Sequence, residues 1–115
     1  MKNPLVALLL MLSLWLSAGN ASAQTERADL ERWCRIETSA AGAGRCLGYL
    51  LAARDVLARD SIEGVRACLP PTVKLQEQLD IVMRWLQANP DARAATAMGL
   101  IARALATDYP CHDNR

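Results

Sequence analysis

Apolar side chains recur at helical spacing in four stretches of this chain. The densest is residues 46–57. There Cys46, Leu50, Ala53 and Leu57 follow one another at i, i+4, i+7 and i+11, which is one face of a helix. Tyr49 and Val56 widen that face on one side, and Leu47, Leu51 and Ala58 lie on the other. Only a strip through Gly48, Asp55 and Arg59 is small or polar. A helix apolar round most of its girth sits at the centre of its bundle. The pattern predicts a central helix over 45–59 with the other helices laid around it.

Those others are three. Residues 24–37 predict a short helix capped by Thr25, with Glu26 in its first turn. Leu30, Trp33 and Cys34 share its inner face, and Glu31 and Arg35 pair at i, i+4. The small residues 38–44 then read as a flexible loop. They are not a phosphate loop, because no Lys-Ser/Thr follows the glycines. Residues 60–64 break the central helix, and Val65 to Leu69 run as non-helical chain into Pro70-Pro71. Thr72 caps a helix over 73–88, with the stripe Leu75, Leu79, Val82, Met83 and Leu86. Ile81 and Trp85 fall nearly opposite that stripe. Either a neighbouring helix covers them or they form a binding surface, since Trp is enriched at hot spots. Asn89 and Pro90 suit the N-cap and first position of a last, Ala-rich helix over 91–107. Its apolar face is Ala97, Leu100, Ile101, Ala104 and Leu105. No alternating strand pattern and no internal repeat occurs. The fold class is all-α, a small bundle of about four helices.

The chain's start has a different character. Lys2 is the only charge before Glu26, residues 4–18 are an apolar run, and Ala21-Ser22-Ala23 follows. A basic start, a short apolar stretch and an A-x-A end make a secretory signal peptide, too short for an ordinary span of ~20 residues. The expected division is a leader over 1–23 and a single domain over 24–115. No cysteine follows the small residues, so no lipid anchor is indicated. Once cleaved, the chain makes no stable membrane insertion.

The leader changes how composition reads. It inflates the 52% hydrophobic content and carries one of the 13 basic residues, leaving the remainder neutral against 12 acidic ones. A neutral domain offers no basic surplus for nucleic acid. A domain this small buries only ~60–65% of its unfolded surface and needs cross-links. It has them. Cys34, Cys46, Cys68 and Cys111 all follow the leader, and four cysteines in an exported chain read as two disulfides. No C-x-x-C knuckle supports a zinc site. If the helices run up and down with short connections, Cys34 pairs with Cys46 and Cys68 with Cys111. If residues 60–69 instead run back along the central helix, Cys46 pairs with Cys68 and Cys34 with Cys111.

Catalytic chemistry is sparse. The single histidine, His112, lies in a polar tail, a poor place for a catalytic base. Paired cysteines leave no thiol nucleophile, and neither G-x-S-x-G nor H-E-x-x-H occurs. Asp55 beside Arg54 and Arg59 reads as a surface ion pair. The expectation is a protein without catalytic residues, cofactor or metal, whose work is contact with another protein.

The order Cys46-x-Gly48-Tyr49, Asp55, Cys68-Leu69-Pro70, Gln78-Leu79-x-x-Val82-x-x-Trp85-Leu86-x-x-Asn89-Pro90, Ala104-Leu105 and Tyr109-Pro110-Cys111 resembles the type VI secretion amidase immunity proteins. The likeness spans Cys34 to Cys111. Two positions depart from it: Ala52 stands where the family often has Gly, and Asn89 where it often has His. Gly48, Tyr49, Asp55, Pro70, Pro90 and Pro110 carry the likeness as fold residues, not contacts.

The resemblance implies a periplasmic protein that binds and blocks a peptidoglycan-cleaving amidase effector, commonly as a homodimer. The resemblance assigns no contact residues; the position of Ile81 and Trp85 opposite their helix's core stripe makes them the candidate interface, facing the partner or the second copy. The alternative from another class is a periplasmic stress chaperone or envelope scaffold of small helical type.

Overall fold

In a computed structural model, residues 3–15, 18–35 and 39–112 are described, the side chains of 10–25 excepted. The described residues form five helices: α1 (Pro4–Trp15), α2 (Ala18–Trp33), α3 (Ala40–Leu57), α4 (Leu75–Ala88) and α5 (Ala97–Asp108). The only β pairing among them is an isolated bridge between Ile62 and Val65. The fold class is all-α, with two disulfides. The A-x-A side chains of the leader lie outside the described residues.

Helices α3 and α5 share the centre: each packs against the three other helices of the bundle. α5 is the more completely buried of the two, with Ala97, Gly99, Leu100, Ile101, Ala102, Ala104 and Leu105 all inside. Its alanines and glycine let neighbours approach on several sides. Helix α3 buries a single face, Gly42, Cys46, Leu50, Ala53 and Leu57. Leu47, Leu51 and Val56 on its other sides face outward, so α3 meets its three neighbours without being surrounded by them.

Helix boundaries moved for local reasons. α2 begins at Ala18, so Thr25 lies inside it and is not its cap. Glu31 pairs with Arg27 at 2.9 Å, not with Arg35, and Arg32 pairs with Asp29 on the same helix. The predicted end of this helix at 36–37 lies outside the described residues. The small-residue loop is helical from Ala40 onward, because the Ser39 hydroxyl accepts from the Gly42 N–H and caps α3. α4 starts at Leu75 after a Lys74 cap without side-chain bond. Thr72 lies in the preceding turn, and Val73 is buried just outside the helix.

The last helix departs most. α5 starts six residues later than the pattern predicts, capped by Thr96 Oγ1 on the Gly99 N–H. Asn89 ends α4 instead of starting α5: its Nδ2 donates to Trp85 O at 2.8 Å. Residues 92–96 stay non-helical. The cause is long-range. Arg27 on α2 is buried and donates to Leu86 O, Asn89 O and Ala92 O at 2.7–2.9 Å. A guanidinium thus closes the C-terminal end of α4, where carbonyls need donors and a cation suits the dipole.

The disulfides join Cys34 to Cys46 and Cys68 to Cys111, each with Cα atoms 5.1 Å apart. This is the up-and-down pairing. The first clamps the end of α2 to the start of α3. There Trp33 stacks on Tyr49 at 5.4 Å and Arg45 lies over the Trp33 ring.

Candidate functional site

The segment between α3 and α4 is long and non-helical, yet it is pinned along its length. Ile62 and Val65 exchange backbone hydrogen bonds at 2.9 Å around a two-residue turn. Glu63 (φ 51°) and Gly64 (φ 77°) are both left-handed there, as a type I′ turn requires. Ile62, Ala67 and Val73 anchor the segment in the core. The Cys68 N–H donates to Tyr109 O at 2.8 Å, beside the Cys68–Cys111 bond. Arg54 donates to Pro71 O at 3.1 Å. Between this segment and the end of α3 lies an open cleft of about 600 Å³, lined among others by Arg54, Asp55, Arg66, Leu69, Pro70 and Pro71.

The turn also holds the start of α5. The Glu63 carboxylate accepts from the Ala95 and Thr96 N–H groups at 2.8 and 3.2 Å and from the Thr96 hydroxyl at 2.7 Å. Glu26 of α2 accepts from Ala97 N–H at 2.8 Å. Two carboxylates therefore meet the positive end of one helix. Partial burial raises the Glu63 carboxyl, but the bonds from Thr96 and Ala95 and the charge of Arg103 outweigh it and hold it below the ordinary value of 4.5.

The predicted site residues are brought together only in part. Asp55 and Pro70 line the same cleft. Asp55 makes no ion pair among the described residues, so the expected pairing with Arg54 or Arg59 is absent. Gly48 and Tyr49 lie on α3, Pro90 in the turn after α4, and Pro110 beside Cys111. Ile81 is buried in the core and Trp85 is half-buried against it. Of the two readings of this patch, Ile81 takes the one in which a neighbouring helix covers it, and Trp85 keeps one side open. The buried face of α4 is Gln78, Ile81, Val82 and Leu86, because α5 packs on that side. The shift brings Gln78 inside, where its Nε2 donates to Leu50 O at 2.8 Å.

Sequence reasoning missed Arg27, Glu63 and Gln78. The first two had readable signals: Arg27 stands four residues before Glu31, and Glu63-Gly64 is a turn dipeptide. All four cysteines are bonded, and no three His, Cys, Asp or Glu side chains gather to hold a metal among the described residues.

A family model, that of the Rap1a immunity proteins, matches residues 26–111. The chain belongs to the Rap1a immunity protein family. The match includes α3, α4, α5, both disulfides and the α2 residues Arg27 and Leu30. Membership in this family implies binding a cognate effector toxin of type VI secretion. No curated protein and no solved structure matches the chain.

Proposed function

We propose that this chain is a periplasmic immunity protein that binds and blocks a peptidoglycan-cleaving amidase effector, acting as a homodimer after loss of residues 1–23. The observation that carries the reading is the Rap1a family match over 26–111. That match starts just past the expected new N-terminus at Gln24, and it keeps Glu26 and Arg27, which hold α4 and α5. No helix among the described residues is long and apolar enough to cross a membrane.

Inhibition here needs no catalysis. A segment held by a disulfide, a turn and a cap loses little freedom on binding, and such preorganisation favours affinity. We assign the effector contact to the cleft between α3 and residues 66–71, where Arg54 and Arg66 supply donors and Pro70 and Pro71 a stiff rim. The test is affinity capture from a lysate of the source organism with the oxidised domain, followed by a peptidoglycan cleavage assay. One tightly held amidase whose cleavage stops is the expected result. A captured toxin of another chemistry refutes the amidase assignment, and many weakly held partners favour the chaperone.

A further inference from the structure

Beyond α1, three large apolar side chains among the described residues are well exposed: Leu47 at 41%, Leu51 at 48% and Val56 at 40%. All three project from α3, away from its buried face. Adjacent leucines one turn apart on a water-facing helix mark a contact surface. Between them runs a seam of exposed positions, Gly44, Gly48, Leu51 and Asp55. Its spacing alternates four, three, four, the rhythm by which one helix meets another.

We propose that this seam is the contact between two copies of the chain, packed antiparallel through α3 about a two-fold axis. The proposal rests on the homodimer reading above and names its surface.

Three features select a second copy as the occupant. A two-fold contact must be complementary to itself, and the seam is. With the axis between Tyr49 and Leu50, Gly48 of one copy stands level with Leu51 of the other, and Gly44 with Asp55. Each larger side chain thus meets a glycine, and the helices can approach to about 8 Å. The surface at Gly48 is already hollow: Arg45, Gly48, Tyr49, Ala52 and Met98 line an apolar dent, into which Leu51 of the second copy fits.

The charges agree with this register. Neither Arg45 nor Asp55 has an ion-pair partner among the described residues. In the antiparallel pair, Arg45 lies within one residue's rise, about 1.5 Å along the axis, of Asp55 in the second copy. Symmetry repeats the contact. In the monomer Arg45 lies over the Trp33 ring, which leaves its charge without a carboxylate partner, and the dimer supplies one.

Gly48 supplies the discriminating variant. A Cβ there meets nothing within 4 Å, so Gly48→Gln fits the monomer and improves helix propensity. In the dimer it occupies the space of Leu51. A single-helix seam lies at the small end of specific interfaces, with dissociation in the micromolar range, so sedimentation equilibrium is run on the oxidised domain from about 1 to 200 µM.

The wild type is expected to reach twice the monomer mass over that range. Gly48→Gln is expected to remain monomeric with an unchanged helical circular dichroism spectrum and an equal or higher melting temperature. Arg45→Asp is expected to weaken the dimer about tenfold or more, and Arg45→Asp with Asp55→Arg to restore it. A wild type that stays monomeric overturns the homodimer reading and this surface with it. A wild-type dimer that Gly48→Gln and Arg45→Asp both leave intact overturns the α3 surface alone.

Discussion

The Glu63 carboxylate accepts the Thr96 hydroxyl proton at 2.7 Å, across 33 residues of chain. Glu63 sits at a positive φ that side chains other than Gly rarely adopt. The strain of that conformation, on the order of 1 kcal/mol, is held by the cap it makes on α5. Glu63→Ala keeps the strain and loses the cap, for an expected loss of about 1 kcal/mol. Glu63→Gly loses the cap but relieves the strain, so it should melt above Glu63→Ala. Thermal unfolding of the pair measures the difference. Equal melting temperatures would show that the left-handed turn costs nothing.

The same contact predicts a pH dependence. The folded carboxyl of Glu63 is held below 4.5, so the folded state binds its proton less readily than the unfolded chain does. Its contribution is complete above the unfolded value and disappears as pH falls through the folded one. Urea unfolding should therefore find wild type more stable than Glu63→Gln at pH 7. The gap should close below about pH 4.5. A gap independent of pH refutes the assignment of charge to this cap.

Helix existence was legible in the periodicity of 45–59, 73–88 and 91–107, because buried faces of helices leave that trace. Of the two cysteine pairings left open, the structure has Cys34 with Cys46 and Cys68 with Cys111, although the connection between α3 and α4 is long and not short. What stayed hidden was settled by groups distant in sequence. Nothing local to Asn89-Pro90 says that Arg27 will draw its carbonyls and that α5 must wait for Thr96. Gln78 reads as a surface residue until Leu50 O receives its amide. Apolar content marked α3 as central, and α3 does meet the three other helices; that α5 shares the centre was hidden because small alanines, not bulk, fill its buried sides. For the candidate site, Asp55 and Pro70 were visible, but the cleft they share depends on where residues 60–74 fold back.

Arg27 tests the long-range closure directly. It donates to Leu86 O, Asn89 O and Ala92 O from a buried position. Arg27→Met keeps much of the volume and leaves three carbonyls without that donor. Leu86 O and Asn89 O each keep a backbone N–H donor, so the expected cost is about 2 kcal/mol, from one carbonyl left without a donor and two charged hydrogen bonds lost. Arg27→Lys should recover less than half of it, because an ammonium cannot span the fork. Urea denaturation at neutral pH gives both values. A Lys variant as stable as wild type would mean that charge alone, not the three-way fork, holds the end of α4.

The two disulfides should differ in weight. Cys34 and Cys46 are separated by 12 residues and Cys68 and Cys111 by 43. In the chain-entropy model the shorter loop contributes about 3 kcal/mol and the longer about 4 kcal/mol. Replacing Cys68 and Cys111 together by Ser should lower the urea midpoint more than replacing Cys34 and Cys46. The reverse order would indicate that the Trp33, Tyr49 and Arg45 stack depends on the first bond for more than chain entropy.

Trp85 separates core from interface. Its ring is half-buried, packs against the core cluster and carries Arg103 at 5.7 Å from its centre. Ile81, one turn earlier, is buried under α5. Truncating the ring removes core contacts and leaves the Arg103 guanidinium without its aromatic face. Trp85→Ala should therefore cost about 3 kcal/mol of stability, the lower end for losing a large aromatic because part of the ring is already wet. Association should not change, since the proposed seam on α3 lies elsewhere. The measurement is paired: urea unfolding for stability, and sedimentation at matched concentration for mass. A Trp85→Ala protein that keeps its urea midpoint but loses its dimer would return Ile81 and Trp85 to the interface.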